Sequence, residues 1–198
     1  MALAPVTTLE GTLFPVRLYP QSESRFIKLN ASGGPLSNQQ LGYQQLPWSC
    51  VHDRSTNLIW EVKSSEQSLH YTHYTYAWLN SDDVTLNHGK QDKPCTIQPC
   101  SSSTYIQSTN KEGLCGLTGW RLPSREELRS LVDYSIRYPG PTIEIAFFPN
   151  TVNQFYWSAT PNANNNESAW GIGFSFGYDY AYFKSNLAHL RLVHGPVK

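Results

Sequence analysis

The sequence lacks an excess of charge of either sign. It has 15 acidic and 15 basic residues, a formal net charge of zero, and only 15% charged residues in total. A protein that binds nucleic acid or an anionic membrane through its overall field carries a clear basic excess. The composition therefore disfavours nucleic acid as a partner.

Long apolar runs are also missing. No stretch approaches the roughly 20 residues that a membrane-spanning helix needs, and the first five residues have no charged region followed by a signal-like apolar core. We therefore expect the chain as given to be soluble. At 198 residues it is most simply one domain that buries a core of its own.

Sulfur is scarce, with four cysteines and one methionine. Such usage fits an oxidised protein better than a cytosolic one, and the spacing of the cysteines supports two disulfides. Cys95 and Cys100 enclose only the residues TIQP and are local partners, which leaves Cys50 to pair with Cys115. Four free buried thiols, or a zinc site without any CxxC pair, stay open as alternatives. The oxidised state implies export, with the signal already removed.

Motifs of known catalytic chemistry are absent as well. The sequence has no GxSxG, no HExxH and no EF-hand spacing, and no cysteine lies in a recognisable nucleophile context. His70 and His73 form an HxxH pair and His52 adjoins Asp53, but zinc catalysis needs three protein ligands and an open position. We expect no catalytic residue, no metal and no cofactor, although the turns at Asp53 and at 82–83 leave a structural calcium open.

Aromatic residues are plentiful at 13% of the chain, together with 13 glycines and 13 prolines. This composition predicts short strands and many ordered turns rather than a helical bundle. Residues 1–45 are predicted to form an irregular segment with one or two edge strands, in short apolar pieces such as Thr12–Tyr19 and Phe26–Leu29. The remaining predicted elements are a core hairpin at Cys50–Lys63, a helix at Ser102–Lys111 that stops at Gly113, and an aromatic strand at Phe155–Ala159.

A capping box predicts a second helix after Ser124. The Ser124 hydroxyl can accept from the first amides of the helix while Glu127 reaches back, and Leu128, Leu131 and Val132 form one apolar stripe. Two arginines border this segment, Arg121 and Arg125. They have two open roles, which are binding an acidic ligand and bracing a loop by stacking or pairing.

The segment from Trp170 to Gly195 contains two kinds of position. Trp170, Ile172 and Phe174 alternate as one face of a half-buried strand does. The other positions hold aromatic, small and adaptable polar side chains, a mixture typical of binding loops because Tyr offers large contact area at low entropic cost. They are Gly171, Gly173, Ser175, Phe176, Tyr178, Asp179, Tyr180, Ala181, Tyr182, Phe183, Asn186, Leu187, Ala188 and His189.

Every residue of this second set, here called the contact set, can be encoded by a codon of the form NNC. Such codons result when both adenines of an AAC asparagine codon are replaced, and none of the set is Trp, Lys, Glu, Gln or Met. Between Tyr180 and Phe183, aromatic residues occupy both even and odd positions, which point to opposite faces of a strand. A strand with only one buried face cannot bury them all. We therefore expect an exposed aromatic patch that has a partner.

Several blocks of the chain closely resemble one known family. They are WSCVHDRSTNLIWEVK at 48–63, GLCGLTGWRLPSREELRSLVDYS at 113–135, FFPNT at 147–151, YWSAT at 156–160, AW at 169–170 and LRLVHG at 190–195. The family is named for the C-terminal domain of a bacterial collagen-like adhesin. The resemblance implies an α+β fold of the C-type-lectin type, in a variant related to formylglycine-generating enzymes, with short strands, about two helices and many loops.

The same resemblance implies a ligand-binding domain at 46–198 with a variable region at 171–189. Some family members are variable proteins of diversity-generating retroelements, which implies that the contact set is diversified while Lys184 and Arg191 belong to the scaffold. His194 departs from the basic Arg that members often carry. In such proteins the lectin-type fold holds the variable side chains on one exposed face.

We therefore expect a non-enzymatic binding protein that is extracellular or displayed on the bacterial surface as an exported lipoprotein. Its partner would be a protein or glycan ligand on another cell, a phage or a host, and membrane contact would need a lipid anchor outside this chain. A fixed-specificity glycan-binding adhesin is the first alternative. An enzyme of the formylglycine-generating type is the second, although its active-site cysteines cannot be mapped onto this sequence.

Overall fold

The computed structural model describes residues 7–8, 11–12, 24–79 and 101–196. Over these residues the chain forms eleven short strands, two α-helices and one 3-10 helix, with long irregular connections. The fold is therefore mixed α/β and rich in strands and loops, as the sequence predicts.

The larger sheet has four antiparallel strands in the order β11-β5-β4-β3. They are β3 (Phe26–Leu29), β4 (Cys50–Asp53), β5 (Leu58–Glu61) and β11 (Val193–His194). The predicted core hairpin is confirmed as β4 and β5, and the predicted edge strand is confirmed as β3. Because β3 pairs with β4, this sheet crosses the boundary that the sequence analysis places near residue 45.

A second sheet has three antiparallel strands in the order β7-β8-β9. They are β7 (Phe155–Pro161), β8 (Ser168–Gly173) and β9 (Tyr178–Phe183). Two short pairs complete the strands, β1 (Thr7–Thr8) with β2 (Gly11–Thr12) and β6 (Tyr76–Ala77) with β10 (Leu187–Ala188). The contact set therefore lies on β8, β9, β10 and the turns between them.

Both predicted helices are present. Helix α1 (Ser102–Glu112) begins with a capping box between Ser101 and Thr104 and ends at Gly113, whose φ of 75° is left-handed. Helix α2 (Arg125–Arg129) has the predicted capping box, in which Ser124 accepts from the Glu127 amide and Glu127 accepts from the Ser124 amide. The helix is shorter than the apolar stripe suggests, because Leu131 and Val132 follow in tighter turns that bond three residues back.

The core consists of two clusters on opposite faces of the three-stranded sheet. One cluster contains Trp60, Leu128, Tyr156 and Ile172, whereas the other contains Trp157 and Ala169 beside further tryptophans. Four buried tryptophans donate their indole N–H to backbone carbonyl groups, and three of these bonds link segments 80 to 99 residues apart in the chain. The bonds run from Trp48 to Phe147, from Trp78 to Ser158, from Trp120 to Leu114 and from Trp157 to Tyr76. Strands β7 and β8 are thus covered on both faces.

The predicted disulfide between Cys50 and Cys115 is confirmed. It joins β4 to the 3-10 helix (Leu114–Gly116), across 65 residues of chain and a Cα–Cα distance of 6.5 Å. Cys95 and Cys100, the other predicted pair, lie outside the described residues, so their bond stays a prediction.

A buried carboxylate, Glu61, ties β5 to three other segments. Its Oε1 accepts from Lys63 Nζ at 2.9 Å, lies 2.8 Å from His70 Nδ1 and accepts from the Tyr105 hydroxyl, while its Oε2 accepts from the Leu192 amide at 2.9 Å. Burial alone would raise the pKa of Glu61, but the Lys63 charge and the hydrogen bonds from His70 and Tyr105 hold that pKa well below its usual range. Glu61 is therefore an ionised group in the core.

Candidate ligand-binding surface

Strand β9 emerges from the core at the edge of the three-stranded sheet, and its two faces differ. The register pairs Tyr178 with Gly173, Tyr180 with Gly171 and Tyr182 with Ala169. Directly paired residues share a face, so these tyrosines lie on the face that also carries Phe155 and Trp157. The intervening residues of β9 lie on the other face, toward α2.

On the tyrosine face, the rings lean across small residues of β8. The ring centroid of Phe155 lies 4.5 Å from Tyr180 and 5.2 Å from Tyr182, and Trp157 lies 5.8 Å from Tyr182. Tyr182 is consequently half-buried against the second core cluster. Exposure increases toward the start of the strand, reaching 44% at Tyr180 and 68% at Tyr178.

Four members of the contact set are buried, namely Gly171, Gly173, Ala188 and His189. The His189 ring lies 5.2 Å from Tyr156, and its Nδ1 is 3.1 Å from the Thr72 carbonyl oxygen. Burial lowers the pKa of His189 to about 4, so the imidazole is neutral at physiological pH. These four residues therefore offer little surface to a ligand in this conformation, and their contact role stays a prediction.

Gly171 is the most constrained of the four. A Cβ atom at this position would lie 2.2 Å from the Tyr156 carbonyl oxygen and 2.4 Å from Phe155 Cζ. One at Gly173 would approach the Tyr180 ring at 3.2 Å and the Tyr178 carbonyl oxygen at an ordinary contact distance of 3.8 Å. The Tyr180 ring is half-exposed and can move, but the backbone of β7 cannot move without breaking sheet pairing.

We therefore expect Gly171→Ala to lower the free energy of unfolding by about 1–3 kcal/mol, the usual cost of overpacking a core. Gly173→Ala is the matched control on the same strand and face, and should change it less. Urea unfolding of both variants measures the difference. Equal stability of the two would show that β8 tolerates side chains at position 171, as a diversified position requires.

Large apolar side chains of the contact set form an exposed patch outside the core. Its most exposed members are Phe176, Tyr178, Tyr180, Phe183 and Leu187. Ser175, Asp179, Ala181, Tyr182 and Asn186 lie among them with intermediate exposure. Aromatic residues on both faces of β9 are exposed, as predicted. This holds for Tyr180 and Phe183, and only in part for Tyr182.

The sequence analysis missed one member of this patch, Tyr138. Its ring stacks on Phe176 with centroids 4.5 Å apart and planes 14° apart, and Phe176 is nearly parallel to Tyr178 at 6.0 Å. Tyr138 is 66% exposed and lies 38 residues before Phe176 in the chain. Its surroundings, YPGP, predict only a turn, so no local signal places it beside the contact set.

The two arginines around α2 have different roles. Arg121 forms two hydrogen bonds with the Glu127 carboxylate, at 2.7 and 2.8 Å, and therefore braces the capped helix. Arg125 lies over the Trp170 ring at 4.8 Å, and its Nε is 3.6 Å from Asp179 Oδ2. Arg125 thus belongs to the candidate surface, on the face of β9 opposite the tyrosines.

The scaffold residues predicted within this segment are buried, except for the partly exposed Trp170. Lys184 lies between exposed neighbours, yet its Nζ donates to the Asn166 carbonyl at 2.7 Å and sits 4.5 Å over the Trp78 ring. Arg191 donates to the Glu61 carbonyl at 2.7 Å and is 1% exposed. Buried cations of this kind hold the backbone at both ends of the β9–β10 segment.

Within the described residues, no group of three or more His, Cys, Asp or Glu side chains is placed to hold a metal ion. His70, from the HxxH pair, bonds to Glu61, while the His73 ring packs edge-on against Tyr71 at 5.2 Å. Nor do those residues include a helix of the length and apolarity that crossing a bilayer requires.

The chain matches a known protein family. The family model of the Lcl C-terminal domain matches residues 49–194. The chain belongs to this family. This match confirms the resemblance of the sequence blocks to the C-terminal domains of collagen-like adhesins. No curated protein and no solved structure matched the chain.

Membership of the Lcl C-terminal domain family indicates an adhesin-like surface protein. The match begins next to the disulfide-bonded Cys50 and ends within β11, so it contains both core clusters except for a few N-terminal members. It also contains the whole contact set, Tyr138 and Arg125. The patch thus lies entirely within the part of the chain that matches the family model.

Proposed function

We propose that this protein is a secreted or surface-displayed binding protein with a C-type-lectin-like fold, whose ligand contacts the exposed residues of β9 and its flanking turns. The observation that carries the proposal is the patch itself. Phe176, Tyr178 and Phe183 are each more than half exposed, although the same segment buries Phe174 and Lys184 completely.

Exposure of this kind is costly unless a partner covers it. Contiguous apolar patches on soluble proteins usually mark interaction sites, and aromatic side chains dominate binding energy when a partner desolvates them. The partly exposed Ser175 and Asn186 offer hydrogen-bonding groups at the rim. The patch therefore has the composition of a recognition surface.

The surface is also held in place before a ligand arrives. All six residues of β9 pair with β8, whose other edge pairs with β7. The anchored Lys184 fixes the end of β9, and the Tyr134 hydroxyl donates to the Gly177 carbonyl at the turn before it. A preorganised surface loses little conformational entropy on binding, which favours affinity.

We further propose that a retroelement diversifies this surface. The NNC-compatible residues include every exposed large apolar residue between 171 and 189, and the interspersed scaffold residues Ile172, Phe174 and Lys184 are buried. Sequencing the DNA around the gene tests this directly. A neighbouring near-copy of the segment for residues 170–195 that differs only at adenines, beside a reverse transcriptase gene, is the expected result, and its absence would leave a surface of fixed specificity.

A fixed-specificity glycan-binding adhesin is the second candidate function. The nearly parallel rings of Tyr138, Phe176 and Tyr178 favour it, because the apolar face of a sugar ring packs on an exposed aromatic face. An enzyme of the formylglycine-generating type would need free thiols. Cys50 and Cys115 are bonded to each other, while Cys95 and Cys100 lie outside the described residues.

A triple variant, Phe176→Ala with Tyr178→Ala and Phe183→Ala, tests the surface. We expect binding to fall at least 30-fold, since hot-spot aromatics contribute about 2 kcal/mol or more each. Tyr182 is left unchanged in this variant because it packs against Phe155 and Trp157. Probes are a printed array of neutral and sulfated glycans and intact bacterial and host cells.

The matched control is Ile145→Ala, which removes an exposed apolar side chain outside the contact set. It should bind like the unmodified protein. Unchanged binding by a folded triple variant would place the ligand elsewhere, and a cooperative melting curve establishes folding. Binding only to glycans, retained across natural variants of the segment, would favour the fixed-specificity adhesin.

A further inference from the structure

A compact group of charges borders the aromatic patch on the α2 face of β9. Arg125 lies between two carboxylates. Its Nε and Nη2 both donate to Glu126 Oε1, at 3.0 and 2.9 Å, and its Nε is also 3.6 Å from Asp179 Oδ2. Its guanidinium carbon lies 4.8 Å over the Trp170 ring, which restricts the movement of the group. The Arg125 and Asp179 side chains are both about one-third exposed, so solvent and ligands reach them.

Arg129 completes this group one helical turn after Arg125. Its Nε donates to the Tyr134 hydroxyl at 3.2 Å, and the bond with that hydroxyl is the largest cause that raises the pKa of Arg129, with the Asp179 charge among the further causes. Asp179 therefore acts on both arginines. Two cations and two anions make the group neutral as it stands.

The members of this group differ in origin. Arg125, Glu126 and Arg129 belong to the capped helix, outside the contact set, whereas Asp179 is the only charged member of the contact set. Any uncharged NNC-encoded residue at position 179 would leave the group with a net charge of +1 at neutral pH, and an arginine would raise that charge to +2. The charge of the surface is thus decided at one position.

We propose that Arg125, stacked on Trp170 and flanked by Arg129, is a carboxylate-binding site that Asp179 occupies from within the chain, and that substitution of Asp179 opens the site to an acidic peptide. The proposal rests on the proposed binding function of this face. The Asp179 carboxylate stands where the carboxylate of the ligand would bind. In the chain as given, the site is closed and the surface favours uncharged ligands.

A peptide fits the site better than an acidic polysaccharide. Within the described residues, β9 is an edge strand of the three-stranded sheet. An extended peptide can therefore pair with its free edge. Ala181 pairs with Trp170 and is small, and the exposed Phe183 follows on the same face. A ligand carboxylate bound to Arg125 would therefore lie beside apolar side chains of the protein. A peptide can place apolar side chains next to its acidic residue to contact them, whereas a chain of uronic acids cannot.

The test compares Asp179→Asn with the unmodified chain, using fluorescein-labelled hexaglutamate and hexaglutamine in anisotropy titrations. We expect Asp179→Asn to bind hexaglutamate about fivefold more tightly than the unmodified chain does, the effect of one unpaired charge at contact distance in water. Hexaglutamine should show no gain. High salt should abolish the gain, because exposed charges are screened.

The double variant Asp179→Asn with Arg125→Gln is the decisive control, because it should return hexaglutamate binding to the level of the unmodified chain. A folded Asp179→Asn protein without any gain would overturn the proposal, as would a gain that persists without Arg125. A gain for polygalacturonate but not for hexaglutamate would overturn the peptide assignment.

These outcomes are separable from the fate of the proposed function. Asp179→Asn keeps Phe176, Tyr178 and Phe183, and the aromatic triple variant keeps Asp179 and Arg125. Failure of the charge test with success of the aromatic test would leave a binding surface without a carboxylate site. The reverse result would retain the carboxylate site and overturn the aromatic surface.

Discussion

Glu61→Gln is expected to lower the free energy of unfolding by about 3–5 kcal/mol, the cost of removing one partner of a buried ion pair. Glu61 is fully buried, and its Oε1 contacts Lys63, His70 and Tyr105 together. The amide of Gln keeps the size of the side chain but not its charge, so Lys63 would be a buried cation without its counterion. Urea unfolding at neutral pH measures the loss.

The same group predicts a pH dependence. The pKa of Glu61 in the folded protein lies well below the value of about 4.3 for an unfolded glutamate. The unfolded chain therefore binds the proton more readily, so the stabilisation from Glu61 is fully present above about pH 4.3 and is lost as the pH falls toward the folded pKa. Unfolding curves of the Gln variant should lack this part of the acid sensitivity.

Glu66→Gln is the matched control, because Glu66 lies five residues away and is exposed. It should alter stability by less than about 1 kcal/mol, as exposed charges usually do. Equal effects of the two substitutions would show that Glu61 is not the ionised centre of the network. Lys63 and His70 would then make different contacts from those described for Glu61.

Removal of the Cys50–Cys115 disulfide, by replacing both residues with Ser, is expected to cost about 4 kcal/mol in the chain-entropy model. The bond closes a loop of 65 residues that contains β5, β6 and α1, and both sulfur-bearing residues are buried. Without the bond the unfolded chain gains conformational freedom. Thermal and urea unfolding of the double Ser variant measure the effect.

The second cysteine pair provides the comparison. A Cys95–Cys100 bond would close a loop of only a few residues, so its removal should cost about 2 kcal/mol in the same model. Mass spectrometry of the unreduced protein shows whether that bond exists. A Cys50→Ser, Cys115→Ser variant as stable as the parent would mean that the two segments are held by packing alone.

Local features were predictable because neighbouring residues alone produce them. The Ser124 capping box, the stop at Gly113 and the hairpin at 50–63 each depend on a few consecutive residues, and each is present in the structure. The helix after Ser124 was predicted too long. Its apolar stripe continues through Leu131, but the backbone tightens there because Asp133 donates to Thr142 and the chain leaves the helix axis.

Non-local features were not predictable from one sequence. Which of the contact-set residues are buried depends on the register of β8 with β7, and that register places Gly171 against Tyr156 and Phe155. The stacking of Tyr138 on Phe176 depends on how the 138–141 turn meets β8. The Asp179 ion pair depends on the packing of α2 against the sheet.

The sequence by itself determined the family, the capped helices and the segment that carries the contact residues, and it predicted the pairing of Cys50 with Cys115. These follow from residue types at fixed spacing, and such patterns persist in any conformation of the chain. Only the tertiary structure decided which contact residues face solvent, that Tyr138 joins them, and that Arg125 pairs with Asp179. Those contacts join residues far apart in sequence, and their geometry exists only once the two core clusters close around the three-stranded sheet.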